Sequence, residues 1–141
     1  MLRKLALAGV IVAAVAASAA PGPGFASRSP LTSRTAKLSC AGAASWQRAP
    51  SYLGRVAKLK GRVASTKFAA ESNGSPTFLD IGRPYPNEGL AIVIWIENRA
   101  AFGTPEVRYR HHTICVRGLV STYNGVPEII ARSPRQIRVI R

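Results

Sequence analysis

The chain has 141 residues, room for one small domain, and its 20 Lys+Arg against 6 Asp+Glu give a formal net charge of +14. A balance that basic attracts polyanions, so it fixes the sign of a long-range partner and leaves its identity open among nucleic acid, anionic headgroups and acidic envelope polymers. Six carboxylates leave little material for acid-based catalysis, and the two cysteines stand in neither a metal-ligand nor a C-x-x-C spacing, which disfavours zinc and redox chemistry.

Arg3 and Lys4 precede a small apolar run, Leu5 to Ala20, which Pro21-Gly-Pro-Gly24 breaks. This is the layout of a secretory signal peptide, residues 1–26, with small-residue cleavage positions after Ala19, Ala20 or Ala26. The run is alanine-rich and shorter than the ~20 residues a span needs, so no stable membrane span is expected after cleavage. The expected location is secreted, periplasmic or cell-envelope. Loss of Arg3 and Lys4 leaves 18 basic residues against 6 acidic, a net charge of +12. Residues 27–50 carry only Leu31, Leu38 and Trp46 as large apolar side chains and read as a linker, because so little apolar surface cannot offset the ordering entropy. Its second half is expected to be held by Cys40 and by Trp46 or Tyr52 on the edge of a domain spanning 51–141.

Within that domain, Leu59, Gly61 and Val63 alternate with Lys58, Lys60 and Arg62, a period of two that predicts a strand with one buried and one wet face. A loop around Asn73-Gly74-Ser-Pro76 follows, then a short strand at 77–81, a Pro/Gly-rich connection at 82–89 and an apolar strand at 90–96. Residues 97–102 predict a helix of about two turns, stopped at Gly103-Thr-Pro105. Two further strands, 113–123 and 126–132, meet across Asn124-Gly125, the strongest short-range hairpin signal, since both centres of a type I′ turn need positive φ. An extended piece at 133–140 closes the chain. Five strands with one short helix between the third and fourth predict an all-β OB-fold barrel.

The residues themselves resemble a known family. Thr77-Phe-Leu-Asp-Ile-Gly82, Tyr85-Pro-Asn87, Ile92-Val-Ile-Trp95, Val116-Arg-Gly118, Tyr123-x-Gly125-x-Pro127-Glu-Ile129 and Ser133-Pro-x-Gln-Ile137 are similar in order and spacing to bacterial OB-fold domains attached to secreted nucleases, of the tRNA-anticodon and helicase type. The resemblance covers roughly residues 55–140 and implies a nucleic-acid-binding or accessory module. A shared fold does not carry an activity with it.

No catalytic constellation emerges from the residues. A metal nuclease needs carboxylates gathered on an ion, and Glu71, Asp80, Glu88, Glu97, Glu106 and Glu128 are scattered over different elements. Glu97 reads as a helix start and Glu128 as a strand residue facing cations. His111-His112 reads as a loop pair, adjacent residues of an extended segment pointing apart. Neither a cofactor nor a metal is called for.

Binding is better supplied. A single-strand site needs a cationic groove for phosphates and aromatic faces for bases. Strand alternation turns Lys58, Lys60, Arg62 and Arg117 outward, and Phe78, Trp95 and Tyr123 are the candidate stacking rings. It also turns Cys115 outward, where a bridge to Cys40 would staple the N-terminal segment over a sheet surface that otherwise shows Leu119; the alternative is two free thiols. The expected partner is single-stranded DNA or RNA without strong sequence preference. A protein or an anionic envelope polymer is the alternative, and a minimal nuclease using Asp80 or Glu97 with a divalent metal is the remaining rival.

Overall fold

The computed structural model describes residues 36–141; the expected signal peptide and the first part of the expected linker lie outside the described residues. The fold is mostly β. Its strands are β1 (Ala44–Ser45), β2 (Val56–Phe68), β3 (Thr77–Ile81), β4 (Leu90–Ile94), β5 (Thr113–Tyr123), β6 (Val126–Ile130) and β7 (Ile137–Ile140). Two short helices, α1 (Ile96–Phe102) and α2 (Pro105–Arg108), stand between β4 and β5, and 3-10 turns occupy Trp46–Tyr52 and Pro134–Gln136.

The long second strand organises the rest. Over Val56–Arg62 it pairs antiparallel with β5, and over Val63–Phe68 with β3, with a register shift between Val63 and Ser65 where it changes partner. An extra residue bends and twists a strand, which is how one strand serves two neighbours. From β3 the ladder passes antiparallel to β4, parallel to β6 and antiparallel to β5. The β5–β2 pairing then returns it to its starting strand, so five strands form a closed circuit. β1 adds in parallel to β2, and β7 adds antiparallel to β5. The hairpin between β5 and β6 turns on two residues, Asn124 (φ 48°) and Gly125 (φ 79°), both in the left-handed region as the Asn-Gly pair predicts.

Alternation fills the interior with Leu59, Val63, Leu79, Ile81, Leu90, Ile92, Ile94, Ile114, Val116, Val120 and Ile129, each at most 1 % exposed. At about 1.5–3 kcal/mol for each fully buried side chain of this size, these residues dominate the folding free energy. The two ends of the interior are closed by different segments. Phe102 of α1 and Tyr109 after α2 enter the core at the end where β3 begins, where Arg99 reaches Thr77 and the Thr66 hydroxyl donates to the Glu106 carbonyl. At the other end Trp46 packs on the core, flanked by buried Ala49 and by Tyr52. A Cβ added at Gly61, Gly82 or Gly89 would lie 2.6 Å or less from the indole, so three glycines far apart in sequence form its slot. Residues 40–50, expected as part of the linker, therefore contribute a strand, a disulfide and one plug of the core.

Candidate nucleic-acid interface

The outward positions of β2, β5 and β7 lie in rows set by register. Lys58 stands opposite Arg117; Lys60 stands opposite Cys115, which stands opposite Arg138; Arg62 stands opposite Thr113. Five cations thus surround one cysteine on a single sheet face. Directly opposed like charges cost stability on a sheet, and the Lys58–Arg117 pair has no carboxylate opposite it to offset that cost.

Cys115 is bonded to Cys40, with Cα atoms 5.8 Å apart and 75 residues between them in sequence. The bridge lays residues 38–41 across the face as a strap. Lys58 Nζ donates to the Ser39 carbonyl at 2.8 Å, and Arg138 Nη1 donates to the Leu38 carbonyl at 3.1 Å. Two of the five cations are therefore engaged in tethering the strap, while Lys60, Arg62 and Arg117 are exposed. The strap covers Cys115 but not Leu119, which is 56 % exposed; the staple sits two rows away from that residue. Beside the strap a cleft of about 750 Å³ is lined by Lys37, Arg108, Arg138 and Arg141 and by no acidic side chain.

The candidate aromatics lie elsewhere. Trp95 is half-buried and its ring covers Gly74, where a Cβ would meet it at 2.8 Å, so it closes the 69–76 loop against β4. Phe78 and Tyr123 line a separate groove of about 700 Å³ over β3, β4 and β6, together with Tyr85 from the 82–89 connection. That groove is acidic. One row of its floor reads Ser65, Asp80, Ala91, Glu128 and Ser121 across five strands. The Ser65 hydroxyl donates to Asp80 Oδ2 at 2.6 Å and the Ser121 hydroxyl to Glu128 Oε1 at 3.3 Å. Burial drives the Asp80 carboxyl above its ordinary value; the Ser65 hydrogen bond opposes this and nearby Glu88 adds to it. Glu128, expected to face cations, instead has Ala91 and Ser121 as its lateral neighbours, because parallel pairing sets β6 beside β4. Lys67 is the one basic residue lining the groove.

The seven residues picked from sequence thus fall into three places: four cations on the β2–β5 face, two rings in an acidic groove, and one ring under a loop. Alternation along each strand was readable; which arcs of the circuit those strands occupy was not. The cations that sequence reasoning missed, Arg138 and Lys37, belong to segments whose position depends on the disulfide and on β7. The groove carboxylates were missed as a group because only register assembles them. Glu97 stands in the first turn of α1 and Glu106 pairs with Arg99, and among the described residues no three His, Cys, Asp or Glu side chains are placed to share a metal ion. His111 and His112 are exposed, and their backbone groups pair with Val63. No helix among the described residues is long and apolar enough to cross a membrane.

Neither a known protein family nor a curated protein matches the chain. Similar solved structures include the Stn1–Ten1 complex of S. pombe, with 19 % identity, 65 % of this chain and 68 % of that one covered, and a TM-score of 0.46. Asparaginyl-tRNA synthetase from Pyrococcus horikoshii aligns at 18 % identity and a TM-score of 0.48 over 71 % of this chain but 23 % of its own length. An OBody bound to hen egg-white lysozyme aligns at 17 % identity and a TM-score of 0.45, with 64 % of this chain and 84 % of that one covered. These are likenesses of fold alone and say nothing of what this chain binds.

Proposed function

We propose that the chain is an exported, non-catalytic OB-fold barrel that binds nucleic acid through its phosphates along the outer face of β2, β5 and β7. The closed circuit of five strands, its parallel β4–β6 contact and the helices between the third and fourth strands of that circuit support the OB-fold barrel. A disulfide that ties the strap to the sheet fits an oxidising compartment and so supports export. The observation that carries the binding reading is the clustering of Lys60, Arg62, Arg117 and the cleft cations around that disulfide, with no acidic side chain in the cleft.

Among the described residues the helices are short, α2 having 4 residues and α1 having 7, and neither is long enough to fill a duplex groove. A flexible single strand can instead drape its backbone over the rows of cations. Since the candidate rings lie in other places, base stacking contributes little and sequence preference is weak. Affinity for a single-stranded oligonucleotide should then fall with salt, with a log–log slope of roughly −0.7 for each phosphate contacted. Alanine at Lys60, Arg62 and Arg117 together should weaken binding and flatten that slope. Absence of binding at low salt would overturn the reading, and equal affinity for a sulfated glycan would shift it to anionic envelope polymers.

A further inference from the structure

The acidic groove carries chemistry opposite to the cationic face of β2, β5 and β7. In a chain of 20 basic and 6 acidic residues, three of the six acids line one groove with a single lysine. The ion pair found among the described residues is Arg99–Glu106, so no basic side chain there neutralises Asp80, Glu88 or Glu128. One oxygen of Glu88, Oε2, is buried and has no hydrogen-bond partner. A buried acceptor without a donor is costly.

The surroundings are built to hold these groups in place. The Tyr85 backbone N–H donates to Ser65 Oγ at 3.1 Å, and the same hydroxyl donates to Asp80, whose side chain is 4 % exposed. That relay fixes the connection bearing Tyr85 and Glu88 over the floor. Tyr85 and Tyr123 are 74 % and 68 % exposed, so their rings are open to a ligand beside the carboxylates. Between Asp80 and Glu128 the floor residue is Ala91, whose small side chain leaves a trough two strand spacings wide, about 10 Å.

Three ligand classes can be weighed against this geometry. Phosphates meet three carboxylates and are repelled. A metal ion needs ligands converging within a few ångströms, and the described residues offer no such set. An ammonium or guanidinium group on a flexible chain is attracted by the carboxylates and by the ring faces at once, and the groove volume of about 700 Å³ suits a small molecule or a short peptide stretch. We infer that this groove is a second binding site, independent of the nucleic-acid face, that takes an organic cation of the ammonium or guanidinium class.

The test titrates the full-length protein with spermidine and, separately, with a tetra-arginine peptide, following tyrosine emission and heat at fixed ionic strength. Saturable binding of either is the expected result, and the tighter of the two identifies the source as a free polyamine or a basic peptide. Glu88→Gln should weaken that binding roughly tenfold, and Tyr85→Ala, at an exposed position that does not threaten folding, should weaken it several-fold. Glu88→Gln should leave oligonucleotide affinity unchanged, which separates this site from the cationic face. No saturable binding of either probe, displacement by Mg²⁺ at equal charge concentration, or unaltered affinity in both variants would overturn the inference.

Discussion

Trp46 shows how much one side chain depends on residues that lack one. Its indole occupies space that Cβ atoms at Gly61, Gly82 and Gly89 would claim, at 2.0–2.6 Å. Trp46→Ala should cost about 3 kcal/mol by emptying the slot, measured as a shift in urea unfolding. Gly61→Ala should cost about 1–3 kcal/mol by pushing on Trp46 and Ile81. In the double variant the new methyl meets less resistance, so the summed loss should be smaller than the two single losses; strict additivity would mean that the indole and Gly61 do not share the slot. Asp80 offers a second test at this scale. Burial raises its folded-state value above 3.8, so the native state holds its proton more tightly than the unfolded chain. The native state is therefore favoured below 3.8 and loses that advantage as pH rises through the raised value. The stability of wild type minus that of Asp80→Asn should fall across this window. A difference that stays level with pH would contradict the burial argument.

At the scale of elements, the strap is the segment whose contribution is most separable. Closing a loop of 75 residues removes up to about 4 kcal/mol of unfolded-state entropy in the chain-entropy picture. Reduced protein, or the Cys40→Ser/Cys115→Ser pair, should unfold at clearly lower urea than the oxidised form; coincident midpoints would mean that the strap adds nothing. Release should also free Lys58 and Arg138 from the Ser39 and Leu38 carbonyls, so oligonucleotide affinity should hold or rise. The strands of the circuit were legible in the sequence because period-two alternation and the Asn124-Gly125 turn are local signals, and they recur here at nearly the expected bounds. The Cys40–Cys115 staple was legible as well, because alternation turns Cys115 outward; the 3-10 turn Trp46–Tyr52 was not, since its place depends on three distant glycines. The same distinction divides the site. The outward cations of β2 and β5 follow from alternation within each strand, whereas the row Ser65–Asp80–Ala91–Glu128–Ser121 exists only through the pairing of five strands.

Among the described residues, charge is segregated and not merely in excess. If a net charge of +14 alone drew nucleic acid, any basic residue would count equally. If the β2–β5–β7 face is the site, position decides. Lys67→Glu and Arg117→Glu change the net charge identically, but Lys67 lies beside the acidic groove and Arg117 stands among the cations around Cys115. At physiological ionic strength the Debye length is about 8 Å, so a charge on the far side of a small domain is largely screened from the bound strand. Arg117→Glu should therefore weaken oligonucleotide binding by at least tenfold, replacing an attraction with a repulsion, while Lys67→Glu should leave it within about twofold. The two should converge as salt is lowered toward 0.01 M, where screening extends to about 30 Å and net charge is felt everywhere. Equal losses at physiological salt would show that overall charge recruits the polymer. Unequal losses that converge at low salt would locate the site on the cationic face and leave the groove free for a ligand of the opposite sign.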